Sequence, residues 1–494
     1  MSELNWKHRE KLLRELAEIV GVSSAEFEHG DVFARTFHPV PEHTKVFEPD
    51  VVLITGGHGT GKSELFKAVV EEKLLPAIVR RMPGTRLPVD SIDRMAWLAG
   101  YPLGVHFADA AGLRHFVRST ENSLDASADL WFAYLVRVLK NELSTEDQTE
   151  LTAVLTPPGG DVDAIYAAFR DRRTACLLCL DRLDQSVRET DRWVFVNYDE
   201  LDTVAGADWD VMALAIRGLV SFWANYARRW RKIRAKIFLR TDLFQKYAPV
   251  FTADFTKLAT NRVELLWSPR NLYAMLIKRL LNASEVLRQY CLEAAIRYET
   301  DPVLGLIPLL ESAEDARPLI ERMTGSYMGA NIKKGRTFAW MLDHLADGNR
   351  NVTPRALVSL VGKAAEEELE FHRAEGERLL HPTSIRRALD KVSRDYVDTL
   401  RQREFPWLYG VSNRMQNIVI PLPQAEVEKL LDMNWDKSWG LEPDIRPLDY
   451  TPRDLINHLI ALGIFRLRSD GRIDVPDLFL AGLGLKRKGG VKRQ

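Results

Sequence analysis

The sequence predicts an α/β fold: a core built on a parallel sheet, then a helical segment, then a helical domain that ends in a β-hairpin. Three observations predict this order. A glycine-rich loop at residues 56–63 lies between a short apolar run and an amphipathic stretch. A second apolar run, Trp193–Tyr198, is followed by two acidic residues. The last third of the chain carries helix-start signals and then a turn sequence typical of a hairpin.

The bulk composition limits the classes of protein that the chain can belong to. Its 494 residues are too many for one ordinary core, so we expect roughly two to four domains. The formal net charge of −1 excludes a global electrostatic attraction to nucleic acid or to membranes. The charged N-terminus has no apolar stretch suited to a signal peptide, and no run approaches the about 18 apolar residues of a membrane span. We therefore expect a cytoplasmic protein without membrane contact.

The glycine-rich loop predicts a phosphate site. Residues 51–54 are apolar and β-branched, which predicts a buried strand, and an amphipathic helix follows the loop. The segment 56–63 fits G-x-x-x-x-G-K-[ST] at every fixed position, and a chance glycine loop would not be framed by both a strand and a helix. Its backbone N–H groups would surround the phosphates of ATP, Lys62 would reach the β- and γ-phosphates, and the Ser63 hydroxyl would bind Mg²⁺. We predict that ATP and Mg²⁺ are the cofactors and that the nucleotide contacts come from Gly56, Gly57, His58, Gly59, Thr60, Gly61, Lys62, Ser63 and Glu64.

Two acidic segments compete for the place beside the phosphates. In the first, Leu177, Leu180 and Leu183 recur at helical spacing, which predicts a helix over 163–189 with Asp181 and Asp184 on its surface. The same helix contains the C-x-x-C of Cys176 and Cys179, which we interpret as two packed small residues rather than a metal or redox site.

The second segment has the composition of a strand, being aromatic and β-branched from Trp193 to Tyr198. It ends in Asp199 and Glu200, and we choose it. Asp199 would hold the metal ion, and Glu200 would act as the general base toward water. A helix from about 208 to 230 and a strand at 236–239 that ends in Arg240 should follow. A last core strand within 262–267 and a helix over 271–281 should complete the core.

In these motifs the chain resembles bacterial P-loop ATPases of the AAA+/STAND grouping, and is similar to the origin-recognition and KAP-type branches. The resemblance rests on four segments: 56–63, 198–202, 236–242 and 351–368. It implies ATP hydrolysis by a P-loop NTPase core, a helical lid after that core, and a sensor arginine. Arg355 matches the lid position, because Thr353 and Pro354 before it predict a helix start; a plain exposed helix-start arginine is the alternative.

Arg240 matches a strand-end arginine that many STAND proteins carry. With Lys62, Glu200 and Arg355 it completes the predicted catalytic set. A finger arginine for a neighbouring subunit, which would require a homo-oligomer, stays open among Arg262, Arg270 and Arg279.

The C-terminal third predicts a winged-helix-like domain. A helix should start at Thr451 and Pro452 and end at Gly463, and a hairpin should turn at 469–471. The tail 486–494 holds five basic residues, which either contact nucleic-acid phosphates or only add solubility. The hairpin mixes arginines with aspartates, so this domain could bind protein rather than DNA. Residues 325–348 mix glycines, basic residues and aromatics, and we interpret them as a lid loop.

These expectations give four parts: an N-terminal helical cap and linker at 1–45, the P-loop core at 46–282, the lid at 283–370, and the C-terminal domain with its basic tail at 371–494. The first hypothesis is a regulatory switch ATPase, resembling bacterial signalling or antiviral-defence components that act with a partner effector protein. No second catalytic motif occurs in the sequence, which favours an effector on another chain. The alternative is a DNA-binding AAA+ loader or remodeller that uses the C-terminal domain. A small-molecule kinase is disfavoured by the long C-terminal extension.

Overall fold

The computed structural model describes residues 6–20, 28–82, 89–102, 107–121, 123–206, 208–226, 228–247, 258–442, 445–447, 449 and 451–488. The chain forms two compact units. One is Pro39–Leu266, and the other combines Met1–His38 with Trp267–Gln494. The predicted four-part organisation stays a prediction. Among the described helices, none combines the length and the apolar character needed to cross a membrane.

The unit Pro39–Leu266 is built on a parallel five-stranded sheet, so the predicted α/β class is confirmed. Its strands are β1 Leu53–Gly56, β2 Met95–Tyr101, β3 Trp193–Tyr198, β4 Ile233–Arg240 and β5 Val263–Glu264. They lie in the order β2-β3-β4-β1-β5, and every neighbouring pair is parallel. Parallel strands need crossover connections, which here contain helices, and both faces of the sheet are therefore covered. This order places β4 between the strand before the glycine loop and the strand before the acidic pair.

The helices of this unit include one that the apolar spacing predicts almost to the residue, Val162–Glu189. The others are Lys62–Phe66, Leu75–Arg80, Ala110–Ser119, Ser123–Val138, Thr145–Glu150, Thr152–Leu155, Trp209–Tyr226 and Thr241–Tyr247, with 3₁₀ turns at Pro41–Phe47, Val89–Arg94 and Lys140–Glu142 and a π-helical turn at Lys67–Glu71.

The helix Val162–Glu189 settles the nature of the first acidic segment. Asp181 lies at its surface, as predicted, and pairs with Arg229. The prediction that Asp184 lies on the surface is wrong. Its carboxylate is buried and accepts hydrogen bonds from the backbone N–H groups of Lys232 at 2.7 Å and Ile233 at 3.2 Å. These donors stand where β4 begins, and a buried N–H group needs an acceptor.

The two cysteines of this helix are buried, as is Cys291. Beside Cys179, the carboxylates of Asp147 and Glu150 come close enough to hold a cation. The Arg182 guanidinium donates to Asp147 and to Glu150. An arginine thus supplies the positive charge of this cluster.

The other unit is mostly helical. Its helices are Trp6–Glu15, with a π-helical turn Leu16–Val20, then Gly30–Thr36, Pro269–Ala283, Glu285–Glu293, Arg317–Thr324, Thr337–Leu345, Pro354–Phe371, Pro382–Arg403, Leu408–Met415, Gln424–Asp432, Pro452–Ala461 and Asp477–Leu480, with 3₁₀ turns at Ala313–Ala316 and Ile332–Lys334. Its short strands are β6 Tyr298–Asp301, β7 Gly305–Pro308, β8 Val419–Ile420, β9 Leu422–Pro423, β10 Arg466–Leu467, β11 Arg472–Asp474 and β12 Lys486–Arg487. They form the sheets β6-β7, β12-β8 and β10-β11-β9.

Capping residues predicted from the sequence lie at the observed helix starts. The Thr353 side chain accepts from the Ala356 N–H at 3.3 Å, and Thr451 accepts from the Asp454 N–H at 3.1 Å. Gly463 ends its helix with φ +73°, and Gly471 turns the β10–β11 hairpin with φ +77°. Both angles belong to the left-handed region that glycine adopts without a steric penalty.

Several predicted boundaries need correction. β1 begins two residues later than predicted and β4 three residues earlier. The predicted N-terminal linker, which ends at residue 45, contains the helix Gly30–Thr36 and the start of the 3₁₀ turn Pro41–Phe47. The segment 325–348, expected to be a loop, contains the helix Thr337–Leu345. In Thr337–Leu345 the apolar residues Phe338, Met341, Leu342 and Leu345 recur at helical spacing, so the surrounding glycines and basic residues, rather than a lack of periodicity, led to the loop prediction.

Candidate functional site

The loop after β1 has a backbone that only glycine accommodates at several positions. Gly59 has φ +75° and Gly61 has φ +92°. At Gly56, an added Cβ would overlap the Thr60 hydroxyl, which donates to the Gly57 carbonyl at 3.0 Å. The loop is therefore a tight turn with exposed backbone at Gly57, the geometry in which N–H groups can surround an anion.

Lys62 and Ser63 open the helix that follows the loop. The Lys62 ammonium donates to the carbonyls of Gly56 and Gly57, each at 2.9 Å. His58 lies partly buried within the loop, and Glu64 stands in the first turn of the helix. The positive charge of Lys62 is therefore held next to the backbone carbonyls of the loop.

Asp199 lies at the carboxyl end of β3, near Ser63 at the start of the helix that follows the loop. The register places Tyr198 level with Ile237, which is itself level with Leu53 of β1, so Asp199 emerges at the edge of the sheet where the loop begins. The Asp199 carboxylate is buried, and the Ser63 side chain lies close enough to act on its pKa. Burial raises the pKa of Asp199, although hydrogen bonds from Ser63 and the Glu200 backbone and the charge of Lys62 act in the opposite direction.

The donor set of this pair suits a hard divalent cation. A hydroxyl oxygen and a nearby carboxylate oxygen are ligands that Mg²⁺ takes, together with water and phosphate. The residues present therefore fit the predicted metal, and Ser63 and Asp199 are the residues that would hold it.

Glu200 follows Asp199 but has different surroundings. Its φ of +52° lies in the left-handed region, which costs a non-glycine residue roughly 1–2 kcal/mol. Its carbonyl accepts from the Thr203 N–H at 2.9 Å and from the Thr203 hydroxyl at 2.8 Å, which holds this turn. The residue is exposed, so its side chain is open to water at the carboxyl edge of the sheet. Strained backbone of this kind is common at functional sites.

Arg240 is the last residue of β4 and lies level with Gly56, the first residue of the loop. Its guanidinium is buried, with 6% of the side chain exposed, and within the described part of the chain it is bound by two carboxylates. Nε and Nη2 donate to Asp242 at 3.0 and 2.8 Å, and Nη1 donates to Asp202 at 3.4 Å. No known motif predicts that Asp202 or Asp242 pairs with Arg240. The position of Asp242, two residues after the arginine at the end of a strand, is the one feature of the sequence that could have indicated such a pair.

The predicted site residues thus fall into two groups. Lys62, Ser63, Asp199, Glu200 and Arg240 lie at the same edge of the parallel sheet. Arg355, in contrast, is the second residue of the helix Pro354–Phe371 and belongs to the other unit. Its predicted contact with nucleotide stays a prediction.

The three finger candidates all have partners within the chain. Arg262 pairs with Glu264 at 3.7 Å and lies over the Phe244 ring. Arg270 donates to the Leu310 carbonyl at 2.8 Å, and Arg279 pairs with Glu28 at 2.7 Å. The structure therefore assigns each a stabilising contact and does not rank them as fingers.

The basic residues of the C-terminal hairpin are neutralised. Arg466, Arg468 and Arg487 surround the fully buried carboxylate of Asp474 at 3.0, 3.2 and 2.8 Å. Arg472 pairs with Asp470. The tail also needs correction, since Lys486–Arg487 is strand β12, paired with β8, and only Lys488 follows within the described residues. The remainder of the predicted basic tail, 489–494, lies outside them.

Comparisons with known proteins give weak similarities. No protein-family model matches the chain, and no curated protein matches it. Among solved structures, the ORC2 protein of Aeropyrum pernix in its ADPNP–ADP complexes is 14% identical, with a TM-score of 0.36, over 88% of this chain and 86% of that chain. The ADP form of the same protein is 12% identical, with a TM-score of 0.28, over 98% and 92%. Cdc6p from Pyrobaculum aerophilum is 12% identical, with a TM-score of 0.26, over 96% and 90%. Similarity this weak identifies neither a family nor an activity, so the functional argument rests on the site itself.

Proposed function

We propose that the chain is an ATPase of the AAA+ type, which binds Mg²⁺–ATP and hydrolyses it to ADP and phosphate. One observation carries this proposal: Ser63, which follows the glycine loop, lies close enough to the buried Asp199 carboxylate to act on its pKa. These residues come from distant parts of the sequence, and each was predicted as a metal ligand from its own motif. A glycine loop that matched the motif by chance would not be expected to lie beside the acidic residue that ends another strand.

The chain's own residues divide the work of the proposed reaction. The loop 56–61 and Lys62 bind the phosphates, and Ser63 and Asp199 hold the metal, which when bound neutralises phosphate charge. Glu200 orients a water molecule and accepts its proton at a carboxylate oxygen. Its exposure supports this role, because the base must reach solvent water while the metal ligand beside it is buried. Arg240 stabilises charge on the γ-phosphate.

The substitution Lys62→Ala tests the proposal. It removes a charged hydrogen-bond donor to the phosphates, so ATP affinity should fall roughly ten- to hundredfold. Isothermal titration calorimetry with ATP and Mg²⁺ measures this, and Lys45→Ala, an exposed lysine of the same unit, is the matched control. Equal ATP affinity in wild type and Lys62→Ala would refute the assigned phosphate site.

For the C-terminal domain we propose a winged-helix topology. The support is the order of elements: β9, the helices Gln424–Asp432 and Pro452–Ala461, then the β10–β11 hairpin, with β11 at the centre of the sheet. This topology favours a second candidate function, a DNA-binding loader or remodeller. The paired arginines oppose it, because a guanidinium bound to a buried carboxylate is not free to contact phosphate.

We therefore place the regulatory switch first, with this domain relaying nucleotide state to a partner effector or to another copy of the chain. The signalling or antiviral-defence role is proposed from the motifs and from the lack of a second catalytic motif in the sequence. Fluorescence anisotropy with duplex DNA separates the two functions. A loader should bind with an affinity that falls steeply between 50 and 200 mM salt, by about 10³-fold or more if it makes six or more phosphate contacts. The switch should show no such binding.

A further inference from the structure

Among the described residues, two carboxylates bind Arg240, and they do so in different ways. Asp242 accepts from both Nε and Nη2, at 3.0 and 2.8 Å, which is a bidentate pair that fixes the plane of the guanidinium. Asp202 accepts from Nη1 alone, at 3.4 Å, longer than a usual hydrogen bond of this kind. Asp242 stands two residues after Arg240, whereas Asp202 lies in the turn after β3. The first contact is therefore tight and local, and the second is loose and joins two segments.

Asp202 also lies close to the proposed metal ligand. Its negative charge is among the influences that raise the pKa of Asp199, after the larger effect of burial. About 30% of the Asp202 side chain is exposed, compared with 6% for Arg240. Asp202 is thus near both the proposed metal ligand Asp199 and the one guanidinium nitrogen that Asp242 does not hold.

We propose that Asp242 orients Arg240 and that Asp202 is an exchangeable partner, which the γ-phosphate of bound ATP replaces at Nη1. This inference rests on the proposed function. The bidentate pair leaves Nη1 directed away from Asp242, so this donor can change partners while the guanidinium plane stays fixed. ADP lacks the γ-phosphate, so the exchange would occur with ATP only. Asp242 and Asp202 are therefore positioning residues that make Arg240 sensitive to the triphosphate.

The two aspartates should then have opposite effects on nucleotide preference. Asp242→Asn removes the orienting pair, so the preference for the ATP analogue ADPNP over ADP should fall roughly three- to tenfold. Asp202→Asn removes the charge that competes for Nη1, so the same preference should rise by a similar factor. A merely structural role would weaken the binding of both nucleotides together and leave their ratio unchanged.

Isothermal titration calorimetry of the full chain with ADPNP and with ADP, both with Mg²⁺, gives this ratio directly. Asp181→Asn is the matched control, because its carboxylate is 31% exposed and pairs with Arg229 in the same unit. It should leave the ratio unchanged. In an Arg240→Gln background neither aspartate substitution should move the ratio, which separates effects that act through Arg240 from loss of folding.

The outcomes distinguish this inference from the proposed function. If wild type binds both nucleotides but the two variants shift the ratio in the same direction or not at all, the inference is wrong and the ATPase proposal stands. The inference is also wrong if both shifts persist in the Arg240→Gln background. If wild type binds neither nucleotide, the proposed function fails, and the inference fails with it.

Discussion

At the scale of single residues, Asp199 and Glu200 show how one turn gives neighbouring carboxylates different chemistry. Asp199 continues the direction of β3 into the buried edge of the sheet and meets Ser63. Glu200 adopts φ +52°, which turns the chain and leaves its side chain exposed. A buried carboxylate next to a hydroxyl suits a metal ion, and an exposed one suits a water molecule. The positive φ therefore separates the two proposed roles.

The first prediction concerns these roles. Glu200→Gln keeps the size of the side chain but removes its basicity, so ATP should still bind while turnover falls about 10²–10⁴-fold. Single-turnover hydrolysis of ATP, with affinity measured separately, tests this. Asp181→Asn on the surface of Val162–Glu189 should leave both values unchanged. Loss of turnover in Asp181→Asn with normal turnover in Glu200→Gln would reverse the choice between the two acidic segments.

At the scale of elements, two helices beside the sheet pack unusually closely. Gly218 of Trp209–Tyr226 faces Ser127 and Ala128 of Ser123–Val138, and an added Cβ would lie 2.7 Å from the Ser127 Cβ and 2.9 Å from the Ala128 backbone nitrogen. The Trp131 indole of the second helix donates to the Ala215 carbonyl at 2.8 Å and fixes the same contact. Gly218 allows the two helices to approach this closely, although glycine is unfavourable in the interior of a helix.

The second prediction follows from the competition between these effects. In a free helix, Gly→Ala would stabilise by about 1 kcal/mol. At Gly218 the methyl group meets backbone, and overpacking of this kind costs typically 1–3 kcal/mol, so Gly218→Ala should lower the free energy of unfolding. Urea unfolding measures the sign. Gly160→Ala, where nothing lies within 4 Å of the added Cβ, is the control and should be neutral or stabilising. A stabilised Gly218→Ala would show that the two helices separate without cost.

At the scale of the whole molecule, the chain connects its two units twice, after His38 and after Leu266. The proposed site belongs to one unit, whereas Arg355 and the C-terminal domain belong to the other. A switch between them requires that ATP and ADP make different contacts, since a ligand that binds both states equally shifts nothing. An arginine that contacts only the γ-phosphate would supply this difference.

The third prediction tests this coupling. Arg355→Ala should leave ATP affinity within a few-fold but remove the ATP-dependent change in backbone protection of residues 371–485. Hydrogen–deuterium exchange with ATP, with ADP and without nucleotide measures that protection. Arg350→Ala, at a nearby exposed arginine before the same helix, is the control and should keep the wild-type response. Equal protection of the wild type in all three conditions would rule out the switch and favour the DNA loader.

Signals that lie within a short segment allowed correct predictions from the sequence. The strand Trp193–Tyr198, the helix Val162–Glu189 and the caps at Thr353 and Thr451 depend on local composition, periodicity and nearby backbone groups. The parallel α/β core followed from the same local signals. β2 has no motif beside it, and only the assembled sheet shows where it pairs.

Tertiary structure alone decided which charges are neutralised. The buried Asp184, the contact of Asp202 with Arg240 and the three arginines around Asp474 involve pairs whose partners stand on separate turns or strands. The strength of an ion pair depends on distance and burial, and both arise only when distant segments meet. The sequence by itself therefore determined which residue types could form a phosphate site. Folding decided that Ser63 and Asp199 lie together there and that two aspartates hold Arg240. It also decided that the hairpin arginines pair with carboxylates of their own domain.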